Sequence, residues 1–321
     1  MGVFTFGNST HIFAHTEQIP KSYVISFGPT GTSALYGLFH LMSFLSCSAL
    51  ILTILFSTEV KKKGLNLYLI FILLPEVFVS SFGFVELVIT HLSRVYPYSD
   101  NLCILSSIVC NMYTYTNLWT NALCANELYF VLLIARERRG RLETFSSKRI
   151  LYKILIVYLA SCAMTTWYMW DINLTNTRID PFFCLPVPHT EVGKIINEDI
   201  LPVFNVLLPP IYVLYVTCQV HQKKLLPREM NDRYLATYFL RVACTMSFYS
   251  LLVVLSLERF SLEVVDLTLL LLSPHGLILS TLTIQKRDIR RAVLKGLDIR
   301  QNEVQSTAAM TMSNESSVVR E

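Results

Sequence analysis

The sequence predicts an all-α membrane protein: a seven-transmembrane-helix bundle followed by a short amphipathic eighth helix. Composition, apolar runs and the placement of basic residues carry this reading. Only 16% of the 321 residues are charged and 53% are hydrophobic, where a soluble domain carries about a quarter charged residues. The mean hydropathy is +0.47. Apolar runs long enough to cross a hydrocarbon slab, ~20 residues each, occur over residues 31–57, 65–90, 103–133, 150–170, 200–220, 234–257 and 264–284. Lysine and arginine concentrate in alternate connections between these runs.

In order, residues 1–30 form an extracellular N-terminal segment without the basic start and apolar core of a cleaved signal peptide. The first run is therefore expected to act as the insertion signal. Residues 31–284 form the bundle. The first run carries no Asp, Glu, Lys or Arg, and the second carries Pro75-Glu76 at its middle. The fourth is interrupted by Lys153 and the fifth by Pro209-Pro210. Proline is tolerated inside a membrane because neighbouring groups satisfy the carbonyls it frees. Residues 285–299 place Ile289, Val293, Leu294 and Leu297 at helical spacing with Lys and Arg on other faces, the pattern of a helix lying on a membrane surface. Residues 300–321 are polar, contain Ser306, Thr307, Thr311, Ser313, Ser316 and Ser317, and read as a disordered cytosolic tail. No repeat of 20–50 residues is visible and no soluble domain is appended.

Orientation follows from the basic residues. Segments 58–64, 134–149, 221–233 and 285–300 hold 19 Lys and Arg, against 5 in the remaining connections and the N-terminal segment. Basic loops stay on the cytosolic side, so the N-terminus is expected outside and the C-terminus inside, in the plasma membrane. The sequons at Asn8 and Asn173 both fall on the outer side and are expected to be glycosylated. The net charge of +4 is explained by basic residues flanking anionic lipid and implies no nucleic-acid partner. Six of the eight cysteines lie in apolar runs. Cys103 starts the third run on the outer side and Cys184 lies in the long outer loop, where an oxidising environment makes a disulfide between them the expectation. No cysteine or histidine spacing suggests a metal, no cofactor is expected, and no constellation suggests an enzyme.

Seven spans with this orientation, a cysteine at the top of the third and another in the second outer loop, resemble the G-protein-coupled receptor superfamily across about residues 31–297. The interval from Cys103 to Glu127 is similar to that between the bridging cysteine and the acid of the Glu/Asp-Arg-Tyr motif in rhodopsin-like receptors. Asn66 and Glu76 resemble the Asn and buried Asp of helix two, with Asn117 and Ser48 at matching polar positions. Ser273-Pro274-His275-Gly276-Leu277 keeps only the proline of Asn-Pro-x-x-Tyr. Its His-Gly pair equally resembles the Gln-Gly of cAMP-receptor-like and secretin-like families. Leu128 stands where the motif has arginine, and helix six contains no proline. The resemblance implies an unknown extracellular ligand and a heterotrimeric G protein contacted by loops 134–149 and 221–233, including Arg136, Arg138 and Arg139, and by residues 286–297. Cys110 replaces the aspartate of amine receptors, and the seventh run has no lysine for a retinal Schiff base.

Ionisable groups inside a bilayer are functional candidates by default; here they are Glu76, Glu127 and Arg241. Glu127, within Glu127-Leu128-Tyr129, is expected to pair with Arg241 as a charge-swapped latch or as a static structural pair, with Glu76 the rival partner for Arg241. Cys110, Thr114, Asn117 and Asn121 step along one face of the third run and are expected to face the bundle. Asn117 and Asn121, together with Ser48, Glu76, Ser273 and Pro274, outline a buried polar network. The readings left open are a ligand-activated receptor, a membrane transporter or channel, and a receptor-like scaffold that does not signal.

Overall fold

The computed structural model describes residues 28–61, 64–93, 100–138, 147–170, 172–173, 178–180, 183–184, 187–188, 190–259 and 274–296. Its long helices are α1 (Gly28–Phe56), α2 (Asn66–Ser93), α3 (Asp100–Arg138), α4 (Ser147–Trp170), α5 (Leu208–Gln222), α6 (Met230–Arg259) and the shorter α7 (His275–Ile284). Among the described residues, six helices are long and apolar enough to cross a membrane, the fifth of these spans starting at Val203. The chain is thus a multi-pass helical membrane protein. The apolar helix α7 has ten residues, and the run 264–273 before it lies outside the described residues. Residues 287–296 form a further helix.

The helices run several residues past the apolar stretches because the polar flanks continue the backbone hydrogen bonding. α3, for example, extends from Asp100 to Arg138. Pro75 sits inside α2. Lacking an N–H, it cannot bond the carbonyl four residues back, which belongs to Phe71. Tyr158 Oη of α4 donates to that carbonyl at 2.8 Å, so a defect in one helix is filled by a side chain of another. Pro202 lies ahead of α5 and Pro209-Pro210 in its first turn, and they too lack the N–H that would bond a carbonyl four residues back. There the backbone widens into π-helical turns over Ile195–Ile200 and Val203–Leu207.

α3 is the axis, packed against α2, α4, α5 and α6. α7 closes the ring by touching α1, α2 and α6. The outer surface is apolar: Leu38, Leu45 and Leu52 make an exposed stripe on α1, and Leu151, Leu155 and Leu159 do so on α4. The interior holds Ser80, Thr116, Asn117, Thr120, Asn121 and Ser280 buried. This inversion suits a lipid solvent, which offers polar groups no partners and leaves them to face one another. The apolar core, including Tyr68, Leu128, Leu132, Ile154, Val220 and Phe239, fills the half of the bundle nearer the basic loops.

In the connection between α4 and α5, Ile172–Asn173 pairs antiparallel with Val187–Pro188, and Arg178–Asp180 pairs with Phe183–Cys184. The Phe183–Cys184 strand packs on α3, the helix that carries Cys103 near its start.

Candidate functional site: a buried carboxylate hub

Glu76, 2% exposed, lies one residue past the α2 proline. Three side chains converge on its Oε1. Tyr113 Oη donates at 2.7 Å, Asn117 Nδ2 at 3.4 Å, and His275 Nδ1 makes a very close contact. A carboxylate only accepts, so with Glu76 ionised His275 carries its proton on Nδ1. Tyr113 Oη also lies 2.6 Å from that nitrogen. On its far side, His275 Nε2 faces Ser250 Oγ at 3.4 Å, and the Tyr249 ring lies 5.2 Å from the imidazole. Asn121 Nδ2 extends the network along α3 by donating to Asn117 Oδ1 at 2.7 Å. One carboxylate therefore joins α2, α3 and α7, and its histidine reaches α6.

α1 enters by close approach. A Cβ on Gly276 would stand 2.7 Å from Ser43 Cβ and 3.2 Å from Glu76 Oε2, so only glycine lets α7 settle here. Cys47 Sγ donates to the Gly276 carbonyl at 3.4 Å. His40, 6% exposed, makes no hydrogen bond through either ring nitrogen among the described residues. Its ring meets Tyr36 edge-on at 4.3 Å and lies against Gly83.

The expected network is assembled in part. Glu76, Asn117 and Asn121 are central, and Pro274 sets the start of α7, its carbonyl accepting from Ile278 N at 2.9 Å. Ser48 is only half-buried; Ser43 and Cys47 supply the α1 face, so that expectation is displaced around the helix. Cys110 is exposed and Thr114 half-buried, so the α3 stripe turns inward only from Asn117. Tyr113, four residues before Asn117 on the same face, adds a hydroxyl that the sequence does not mark, because tyrosine in an apolar run reads as packing. Ser273 lies outside the described residues, as do Asn8 and Arg139. Asn173 is in a paired strand. Cys47, Cys110, Cys124, Cys162, Cys218 and Cys244 are not in disulfides. Among the described residues no three His, Cys, Asp or Glu side chains are grouped to hold a metal.

The Glu127–Arg241 latch is not formed. Glu127 is fully buried and pairs with Lys153 of α4, whose side chain is 25% exposed. Arg241 points outward and is exposed. Helix phase explains the difference: Ala236, Phe239, Leu240, Val242 and Ala243 are buried around Arg241 and occupy the inner face of α6. The signal for the true partner was the lone lysine in the fourth apolar run. Leu128 is 0% exposed and belongs to the core. Tyr129 and Arg136 instead tie α3 to the end of α5: Lys223 Nζ donates to Tyr129 Oη at 2.8 Å, and Arg136 Nη1 donates to the Lys223 carbonyl. Arg138 is the last residue of α3. In the 287–296 helix Ile289 is buried and Ala292 and Val293 pack on the core. Leu294 is half-exposed and Leu297 lies outside the described residues.

No known protein-family model matches the chain, nor does any curated protein sequence.

Proposed function

We propose that the chain is a G-protein-coupled receptor of the plasma membrane, with seven membrane-spanning helices, the last completed by residues 264–284, and an amphipathic eighth over 285–299. The observation that carries this reading is the Glu76 hub. It joins α2, α3 and α7 in mid-bundle through an acid, a tyrosine, an asparagine and a histidine. Tyr113 Oη lies within hydrogen-bond distance of both Glu76 Oε1 and His275 Nδ1, so its hydroxyl has two partners to choose between. A ligand entering from outside can select one of them and so move the helix ends at the far side. The N-terminus is extracellular and Asn8 and Asn173 carry glycans. Cys103 and Cys184 form a disulfide, supported by the seating of the Phe183–Cys184 strand on α3. The loops 134–149 and 221–233, with residues 286–297, receive a heterotrimeric G protein.

Leu128 favours one second reading. A buried leucine replaces the arginine on which rhodopsin-like receptors rely, as a seven-helix scaffold without G-protein activation would permit. Nucleotide exchange decides between the two. The full chain, reconstituted in nanodiscs and shown to be folded by a cooperative thermal transition, is assayed with one G protein from each Gα class. The receptor reading expects exchange above empty nanodiscs with at least one class, and a changed rate in Glu76→Gln, which keeps the side-chain volume and removes the charge. Exchange at the empty-nanodisc rate for every class overturns it in favour of the scaffold.

A further inference from the structure

A further buried charge lies at the basic end, outside the Glu76 hub and the Glu127–Lys153 pair. Lys286 follows α7 by two residues and is 1% exposed. A buried ammonium is costly unless it is surrounded by groups that answer its charge. Lys286 draws such groups from several elements. Its Nζ donates to Asn66 Oδ1 at the start of α2 and to Asp288 Oδ2 at 3.0 Å in the 287–296 helix. It lies 5.4 Å from the centre of the Phe239 ring on α6, within the range of a cation–π attraction. Asn66 is itself held, its Nδ2 donating to the Val60 carbonyl at 2.7 Å.

The residues on either side of Lys286 grip α6 as well. Tyr234 Oη donates to the Gln285 carbonyl at 2.8 Å, and the Arg287 guanidinium lies 4.6 Å from the Tyr234 ring centre. Three successive residues, 285–287, thus meet α6 on Tyr234 and Phe239. Further along α6, the buried hydroxyls of Ser247 and Tyr249 make no hydrogen bond among the described residues. Away from this junction α6 meets its neighbours through Ser250 Oγ, 3.4 Å from His275 Nε2, and Cys244 Sγ, 3.2 Å from Thr217 Oγ1; its charged contacts with residues 285–287 lie here.

We propose that Lys286 is a bolt that holds the basic end of the bundle shut by clamping α6 to α2 and to the 287–296 helix. The clamp is reversible because its α6 contact is an aromatic face rather than a carboxylate. Phe239 can slide from under the ammonium without stranding an opposite charge in the interior, while Asn66 and Asp288 keep the lysine satisfied. This inference does not depend on whether a G protein couples. It concerns the opening of the chain itself.

The test reads opening directly. Ala236 is fully buried on the inner face of α6, one turn from Phe239 toward the basic end. In full-length chain carrying Ala236→Cys in nanodiscs, the labelling rate with a charged, water-soluble maleimide is measured, with the rate of the parent chain subtracted. Lys286→Met keeps the length and apolar stem of the side chain. It is expected to raise the rate about tenfold, the ratio given by a loss of ~1.4 kcal/mol from the closed state. Asp288→Asn weakens the anionic side of the clamp and is expected to raise it by a smaller factor. In the Lys286→Met background Asp288→Asn is expected to add nothing, because the group it acts through is gone. An unchanged rate in Lys286→Met overturns the proposal, and so does full additivity of the two substitutions. If Lys286→Met does not fold, Asp288→Asn decides alone, and a wild-type rate there overturns it.

Discussion

Two buried glutamates make the instructive comparison. Glu76 and Glu127 are equally hidden, at 2% and 0% exposure, and each lies within a long apolar run of the sequence. Their surroundings differ in number and kind. Glu76 gathers hydrogen-bonding partners from α3 and α7 and sits where four helices meet. Glu127 meets the ammonium of Lys153 on α4, a helix whose other face is exposed at Leu151, Leu155 and Leu159. The first arrangement couples several helices through one atom. The second fastens one peripheral helix to the axis. Burial alone marks both as costly; the count of elements that answer the charge separates a junction from a rivet.

Substitutions that remove one side of each arrangement sharpen this contrast. Glu76→Ala strands Tyr113, Asn117 and His275 in the interior and is expected to be the most damaging, at about 3–5 kcal/mol. Thermal unfolding in nanodiscs measures it, and a loss no greater than that of Glu127→Ala would break the distinction. Lys153→Met is expected to cost less, about 1–3 kcal/mol, because the lysine is partly exposed and its loss is screened. Adding Glu127→Gln should restore much of that loss, since a buried pair replaced on both sides is close to neutral; a double variant as unstable as the sum of the singles would show that the pair holds nothing by itself. Smallest of all, Arg241→Leu is expected to stay within ~0.5 kcal/mol of wild type, since its guanidinium faces outward. A large loss there would place Arg241 back in the interior.

The spans were legible because lipid imposes one requirement, length of apolar helix, that composition expresses directly. Thus 31–57 and 65–90 correspond to Gly28–Phe56 and Asn66–Ser93. Glu76 and Asn117 were legible for a related reason, since a polar group in such a run must face a partner. Partner identity was not. Whether Lys153 or Arg241 meets Glu127 depends on the rotation of α4 and α6 about their own axes, and both cations interrupt apolar runs in much the same way. Ser48 failed for the same cause, one residue of helical phase separating it from Cys47. Lys286 was hidden differently: among many basic residues at a membrane edge, one lysine turned inward leaves no mark on the local pattern.

The carbonyl that Pro75 frees bears on how the chain is made. Its filler, Tyr158, lies 87 residues downstream. At a synthesis rate of about 5–20 residues per second, α2 leaves the ribosome roughly 4–17 s before the hydroxyl that completes it. Through that interval the second span carries an open acceptor at mid-helix. It is a segment to be sheltered by the insertion machinery, by water or by a neighbouring helix until the fourth arrives. The order in which spans become lipid-ready is therefore written as a debt in one helix that another discharges.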